Sequence, residues 1–200
     1  MHKVFISYHH ANDQFYNQQL VNLNTSHQVF IDRSVDTGDI DEHLDDEAIR
    51  VKIRDEYLRD STVTILLVGA ETRTRKHIDW EIYSSMRDGK INKKSGILVV
   101  NLPAAESSFY TATHAGEKET IYPETSDWTT VDSRAEYQRR YPRMPDRIID
   151  NLLEPKATIS VVPWNKFESN ATALEWLIEA AHADRETCTY NFDRPMRRSN

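Results

Sequence analysis

Five short apolar runs punctuate a largely polar chain: VFISY (4–8), QVFID (28–32), TVTILLVG (62–69), GILVVNL (96–102) and TISVVPW (158–164). Each is rich in β-branched or aromatic residues, and none alternates cleanly. A half-buried strand alternates apolar with polar. A continuous run bounded by polar residues suits a strand covered on both faces, as in a parallel sheet under helices. Between the runs the apolar spacing becomes helical. Residues 12–23 carry Phe15, Leu20, Val21 and Leu23, with Asn12 in an N-cap position. Residues 45–60 carry Ile49, Ile53 and Tyr57 at intervals of four, and 75–88 carry Ile78, Ile82 and Met86 in the same way. Residues 170–184 set Leu174, Leu177, Ile178 and Ala181 on one face behind a capping Asn170. Alternation of strand and helix predicts a doubly wound α/β sheet with right-handed crossovers.

Residues 103–156 break this rhythm and read as an insertion between strands four and five. A structureless loop of that length is unusual in a compact domain, so short helices and turns are expected within it. The expected organisation is a single domain over 1–186 followed by a polar tail over 187–200.

Composition narrows the function. With 38% hydrophobic and 28% charged residues the chain is ordinary globular material. The formal charge of −7 does not supply the basic field that broad nucleic-acid binding requires. No segment has the ~20 apolar residues that span a bilayer, and MHKVFISYHH lacks the pattern of a secretory signal, so cytoplasmic residence is expected. The single cysteine, Cys188, has no partner for an internal disulfide and stands in no CxxC pattern.

In open α/β sheets ligands bind beyond the carboxyl ends of the strands. There strand one delivers YHHAND (8–13), strand two DRSVDTGD (32–39), and strand three the loop AETRTRKH, which leads into the helix bearing Glu81. Glu81 is therefore expected to face the same crevice as Tyr8, His9 and His10. The five glycines form neither GxGxxG nor a Walker loop, so a phosphate would instead meet the helix N-terminus and the cluster Arg73, Arg75 and Lys76. Adjacent histidines such as His9 and His10 point apart, and no further His or Cys stands at ligand spacing, so no metal is expected. Ser7 and Tyr8 either cap loop backbone or contact a ligand. Asp32 and Asp36 suit Asx turns, with Asp36 also a candidate for ribose contact. Trp80 reads first as packing and second as an aromatic shelf, and Asn101 ends strand four at the same edge.

KVFISYHHAND, TVTILLVGAETRTRKHIDWEI and the five-strand pattern resemble the Toll/interleukin-1 receptor (TIR)-like fold. More narrowly they resemble its bacterial branch that includes the Thoeris anti-phage sensor, over about residues 3–102. The resemblance implies a flavodoxin-like strand order and, in enzymatic members, cleavage of the nicotinamide–ribose bond of NAD as substrate, with no further cofactor. The family's catalytic glutamate maps onto Glu81, and its strand-one pocket aromatic onto Phe5. The family pattern has an aromatic four residues before the glutamate; here His77 stands there, and Trp80 directly precedes the acid. Thoeris-type members are similar in making a cyclic ADP-ribose isomer that switches on a separate effector. Partners implied are therefore NAD, an effector acting through the product, and self-association or a phage-derived trigger, with neither nucleic acid nor membrane. Two other readings stay open: a non-catalytic TIR-like interaction module, and plain NAD hydrolysis to linear ADP-ribose.

Overall fold

The computed structural model describes residues 1–34, 45–89 and 93–200. Their strands are β1 (His2–Ser7), β2 (Phe30–Asp32), β3 (Val63–Val68), β4 (Gly96–Asn101) and β5 (Ile159–Pro163). All pair in parallel in the order β2-β1-β3-β4-β5. This is the flavodoxin-like doubly wound arrangement, whose strand order reverses between β1 and β3. The helices are α1 (His10–His27), α2 (Asp46–Lys52), α3 (Lys76–Met86), α4 (Glu117–Ile121), α5 (Arg134–Arg140), α6 (Asp146–Leu152) and α7 (Ala171–Asp184). A π-helical turn, Ile53–Tyr57, extends α2.

Burial on both faces explains the unbroken apolar runs of β3, β4 and β5 and the inner part of β1, whereas edge strand β2 departs from the expectation, with Phe30 buried but Ile31 39% exposed. Successive side chains of a strand point to opposite sides. Val4, Ile6, Ile65, Leu67, Leu98, Val100 and Val162 thus pack with Leu174, Leu177 and Ile178 of α7. Their neighbours Leu66, Val68, Ile97, Val99, Ile159 and Val161 pack with Ile78, Ile82 and Met86 of α3 and with Ile148 and Ile149 of α6. A third cluster joins Phe5, Ile49, Ile53, Leu58, Trp80 and Met196. Each such large side chain contributes roughly 1.5–3 kcal/mol by leaving water. At the start of β4, Gly96 lets α7 come close: a Cβ there would lie 2.0 Å from the carbonyl oxygen of Ala181.

Local signals fared unevenly. Asn170 caps α7 as expected, its side chain accepting from the Ala173 amide at 3.1 Å. Asn12 does not cap α1; that helix starts at His10, with His9 in the cap position and no side-chain cap bond. Phe15, expected on the buried stripe of α1, is 65% exposed. The long stretch 103–156 does contain short helices, and α6 serves as the β4–β5 crossover by covering the α3 side of the sheet. Within it Thr111 exchanges both backbone hydrogen bonds with Val161, covering the outer edge of β5.

Residues 187–200 run back over α3 and α6 and are anchored at several points. Cys188, Tyr190 and Met196 are buried. The guanidinium of Arg147 donates to the carbonyls of Arg194 and Pro195 at 3.0 and 2.9 Å. Asn151 accepts from the Asn191 amide at 2.7 Å. Among the described residues no helix is long and apolar enough to cross a membrane.

Candidate functional site

The last residue of β1 decides where the chemistry can lie. Ser7 shares the strand face of Phe5, which is the α3 side, whereas Tyr8 falls on the opposite face. The hydroxyl of Ser7 donates to Oε2 of Glu81 at 2.7 Å, across 74 residues of sequence. Both groups are buried, at 0% and 5% exposure. Glu81 is thus a carboxylate held under the exit of β1, beside the β1/β3 reversal, and not a solvated helix acid.

Its helix is unusual in being covered on nearly every side, and its buried polar residues are matched accordingly, apart from Ser84, whose hydroxyl has no hydrogen-bond partner among the described residues. Asp79 takes a bidentate pair of hydrogen bonds from Arg147 at 2.8 and 2.9 Å, and a third from the Arg197 amide at 2.8 Å. Ser85 meets Thr64 of β3 at 2.8 Å. The indole N–H of Trp80 donates to the carbonyl of Arg197 at 2.8 Å. The first-turn amide of Lys76, which no residue of α3 can satisfy, donates to Oδ1 of Asn200 at 2.9 Å. The C-terminal residues therefore brace and cap the helix that carries Glu81.

The other predicted residues divide among several places. Phe5 and Trp80 belong to the packed cluster with Ile49 and Met196. His77 lies edge-on to Trp80, ring centroids 5.0 Å apart. Tyr8 turns away from Glu81, bonds Gln14 at 2.7 Å and stacks on His10. His9 approaches the loop after β3, its Nδ1 4.0 Å from a Glu71 oxygen, and Glu71 also pairs with Arg75. Burial, then Arg75, then His10 push the His9 imidazole below its usual range, so it is neutral at pH 7. Asn101 ends β4 two strands from β1, about 10 Å across the sheet. It lines a cavity of roughly 460 Å³ with Phe15, Tyr16, Tyr110 and Trp164, and Glu81 is not part of that lining. Asp36 lies outside the described residues.

The basic cluster expected to meet a phosphate is already engaged. Arg73 pairs with Asp146 at 3.1 Å and Arg75 with Glu71. Both line a cavity of roughly 230 Å³ with Asp79, Arg147, Arg194 and Arg197. An anion entering it would have to exchange these pairs.

One acid escaped the sequence reading. Asp13, in the first turn of α1, is 2% exposed and presses against Gly69, where a Cβ would fall 2.3 Å from its Oδ1. Its Oδ2 has no hydrogen-bond partner among the described residues. Burial raises its pKa, opposed by the His9 backbone amide. A first-turn aspartate is ordinarily read as a helix-dipole residue, and nothing local to the sequence announced its burial.

A parallel sheet in the order 2-1-3-4-5, with a buried acid on the helix after β3 bonded to the end of β1, defines an α/β domain of the TIR-like class. The model of the family Thoeris protein ThsB, TIR-like domain, matches residues 5–107, from within β1 to just beyond β4 and just over half of the chain. The chain belongs to that family. A search of curated proteins finds no match to it.

Proposed function

We propose that this chain is an NAD-consuming enzyme in which Glu81 is the essential acid and a cyclic ADP-ribose isomer is the product. The observation that carries the reading is the 2.7 Å bond from Ser7 to Glu81, which fixes a buried carboxylate at the sheet edge where ligands of such folds bind. Family membership supports it further.

The chemistry suits one carboxylate. Nicotinamide leaves the ribose as a neutral molecule, so it needs little acid assistance. Positive charge builds instead on the ribose C1′ and ring oxygen. A carboxylate in a water-poor site stabilises that oxocarbenium ion and can accept hydrogen bonds from the ribose hydroxyls. Ser7 holds one carboxylate oxygen in place, so less reorganisation is needed as charge develops. Attack on C1′ by an atom of the same ADP-ribose molecule, with loss of its proton, gives a cyclic product. Attack by water gives linear ADP-ribose, heavier by one water.

The product would act on a separate effector protein, with infection as the trigger. Mass spectrometry of lysates from challenged cells carrying the wild-type chain or Glu81→Gln tests this. The expected result is a species with the mass of ADP-ribose less one water, present only with the wild type. Linear ADP-ribose alone would make the chain a simple glycohydrolase. Neither species in either lysate would favour an interaction module.

A further inference from the structure

We propose that His2, Glu179 and His182 form a binding site for a divalent transition metal of the zinc type. His2 opens β1, and Glu179 and His182 lie three residues apart on α7, hence on one helix face. His2 Nε2 lies 2.6 Å from Glu179 Oε2, and the imidazoles of His2 and His182 stack with centroids 3.7 Å apart. One donor atom from each of the three lies within 4.8 Å of the others. Two imidazoles and a carboxylate are the donor set of three-ligand zinc centres that keep a fourth position open, and imidazole also suits nickel, cobalt and copper.

The supporting elements are rigid. α7 is anchored by Leu174, Leu177, Ile178 and Ala181 in the same apolar cluster as Val4 and Ile6 of β1. Its close seat on the sheet is secured by Gly96. The triad therefore needs only side-chain adjustment: an ion displaces the proton shared by His2 and Glu179 to solvent, and the two rings turn out of their stack so that their lone pairs converge. Arg185, the C-cap residue just past α7, pairs with Glu186 at 3.7 Å.

The site stands at the amino end of β1, about 17 Å of strand from Ser7, and is independent of the reaction proposed for Glu81. An ion there would clip the first strand to the last helix. It binds the folded chain and not the separated ligands, so it stabilises the fold by mass action.

Tag-free protein, stripped with a chelator, is titrated with Zn²⁺ by calorimetry and with Co²⁺ by visible absorption. The proposal expects one ion per chain, a tetrahedral-type Co²⁺ spectrum and a Zn²⁺ affinity about tenfold or more weaker in His182→Ala and in the isosteric Glu179→Gln. It also expects Tm to rise by roughly 5–10 °C at a hundredfold excess over Kd, with no such rise in His182→Ala. His27→Ala, an exposed histidine outside the triad, is expected to bind as the wild type does. Absence of stoichiometric binding would overturn the proposal. So would wild-type affinity in His182→Ala, which would leave the ion to His2 and the chain terminus, or equal weakening in His27→Ala.

Discussion

Two carboxylates at the carboxyl edge of the sheet show how placement sets the role of a side chain. Glu81 is buried but bonded to a hydroxyl, whereas Asp13 is buried against a glycine with one oxygen lacking a partner among the described residues. Burial raises the Asp13 pKa, so its ionised form is penalised in the folded state. That penalty is fully present above the folded pKa and disappears as pH falls below the unfolded value near 3.8. Asp13→Asn is therefore expected to raise Tm at pH 7, with the gain shrinking as the pH is lowered towards 4. A melting series over that range checks it, and a variant equally destabilised at every pH would contradict it. Ser7 and Glu81 were both named from sequence, but their contact was not legible, because 74 residues separate them. The division between Ser7 and Tyr8 was legible in principle, since neighbours on a strand face opposite ways; the expected crevice held Tyr8, His9 and His10 with Glu81, and it is Ser7 that meets the acid.

Element identity was readable for one physical reason. Strands buried on both faces, as β3, β4 and β5 are, must be largely apolar, and each of the five apolar runs overlaps a strand of the sheet, although edge strand β2 buries only Phe30. Helix environment was less readable. The α3 sequence looks amphipathic, yet Asp79, Glu81, Ser84 and Ser85 are buried along with Ile78, Ile82 and Met86, because Glu81 and Ser85 meet Ser7 and Thr64 of the sheet while Arg147 of α6 and the C-terminal residues cover Asp79. Those partners are remote in sequence, so the helical period could not report them. The Asp79–Arg147 pair holds this layer together, with side-chain exposures of 9% and 1%. Arg147→Ala strands the Asp79 charge and unties the 194–195 carbonyls, and a loss of about 3–5 kcal/mol is expected by chemical denaturation. A loss under about 1 kcal/mol would mean the pair is dispensable. At α7, Asn170→Ala removes a cap bond seen at 3.1 Å and is expected to cost about 1 kcal/mol. Denaturation of that variant with an unchanged m-value would place the effect in stability alone.

At the scale of the whole molecule, the family match ends at residue 107, while α6, β5, α7 and the C-terminal brace lie beyond it. The sheet edge bearing Ser7 and Glu81 falls inside the matched part, as does α2 against Trp80, and α6 and the C-terminal residues that brace α3 fall outside. The helix that carries the acid is thus fixed in part by residues beyond the matched region. If that acid stabilises charge on a ribose, its removal must abolish turnover and leave the fold intact, whereas loss of Ser7 must impair turnover only in part. The direct measurement is nicotinamide release from NAD by purified, activated wild type, Ser7→Ala and Glu81→Gln, each checked for folding by Tm. The account predicts a fall of about 10²-fold or more for Glu81→Gln and a smaller, roughly tenfold fall for Ser7→Ala. Release by a folded Glu81→Gln chain at the wild-type rate would contradict it.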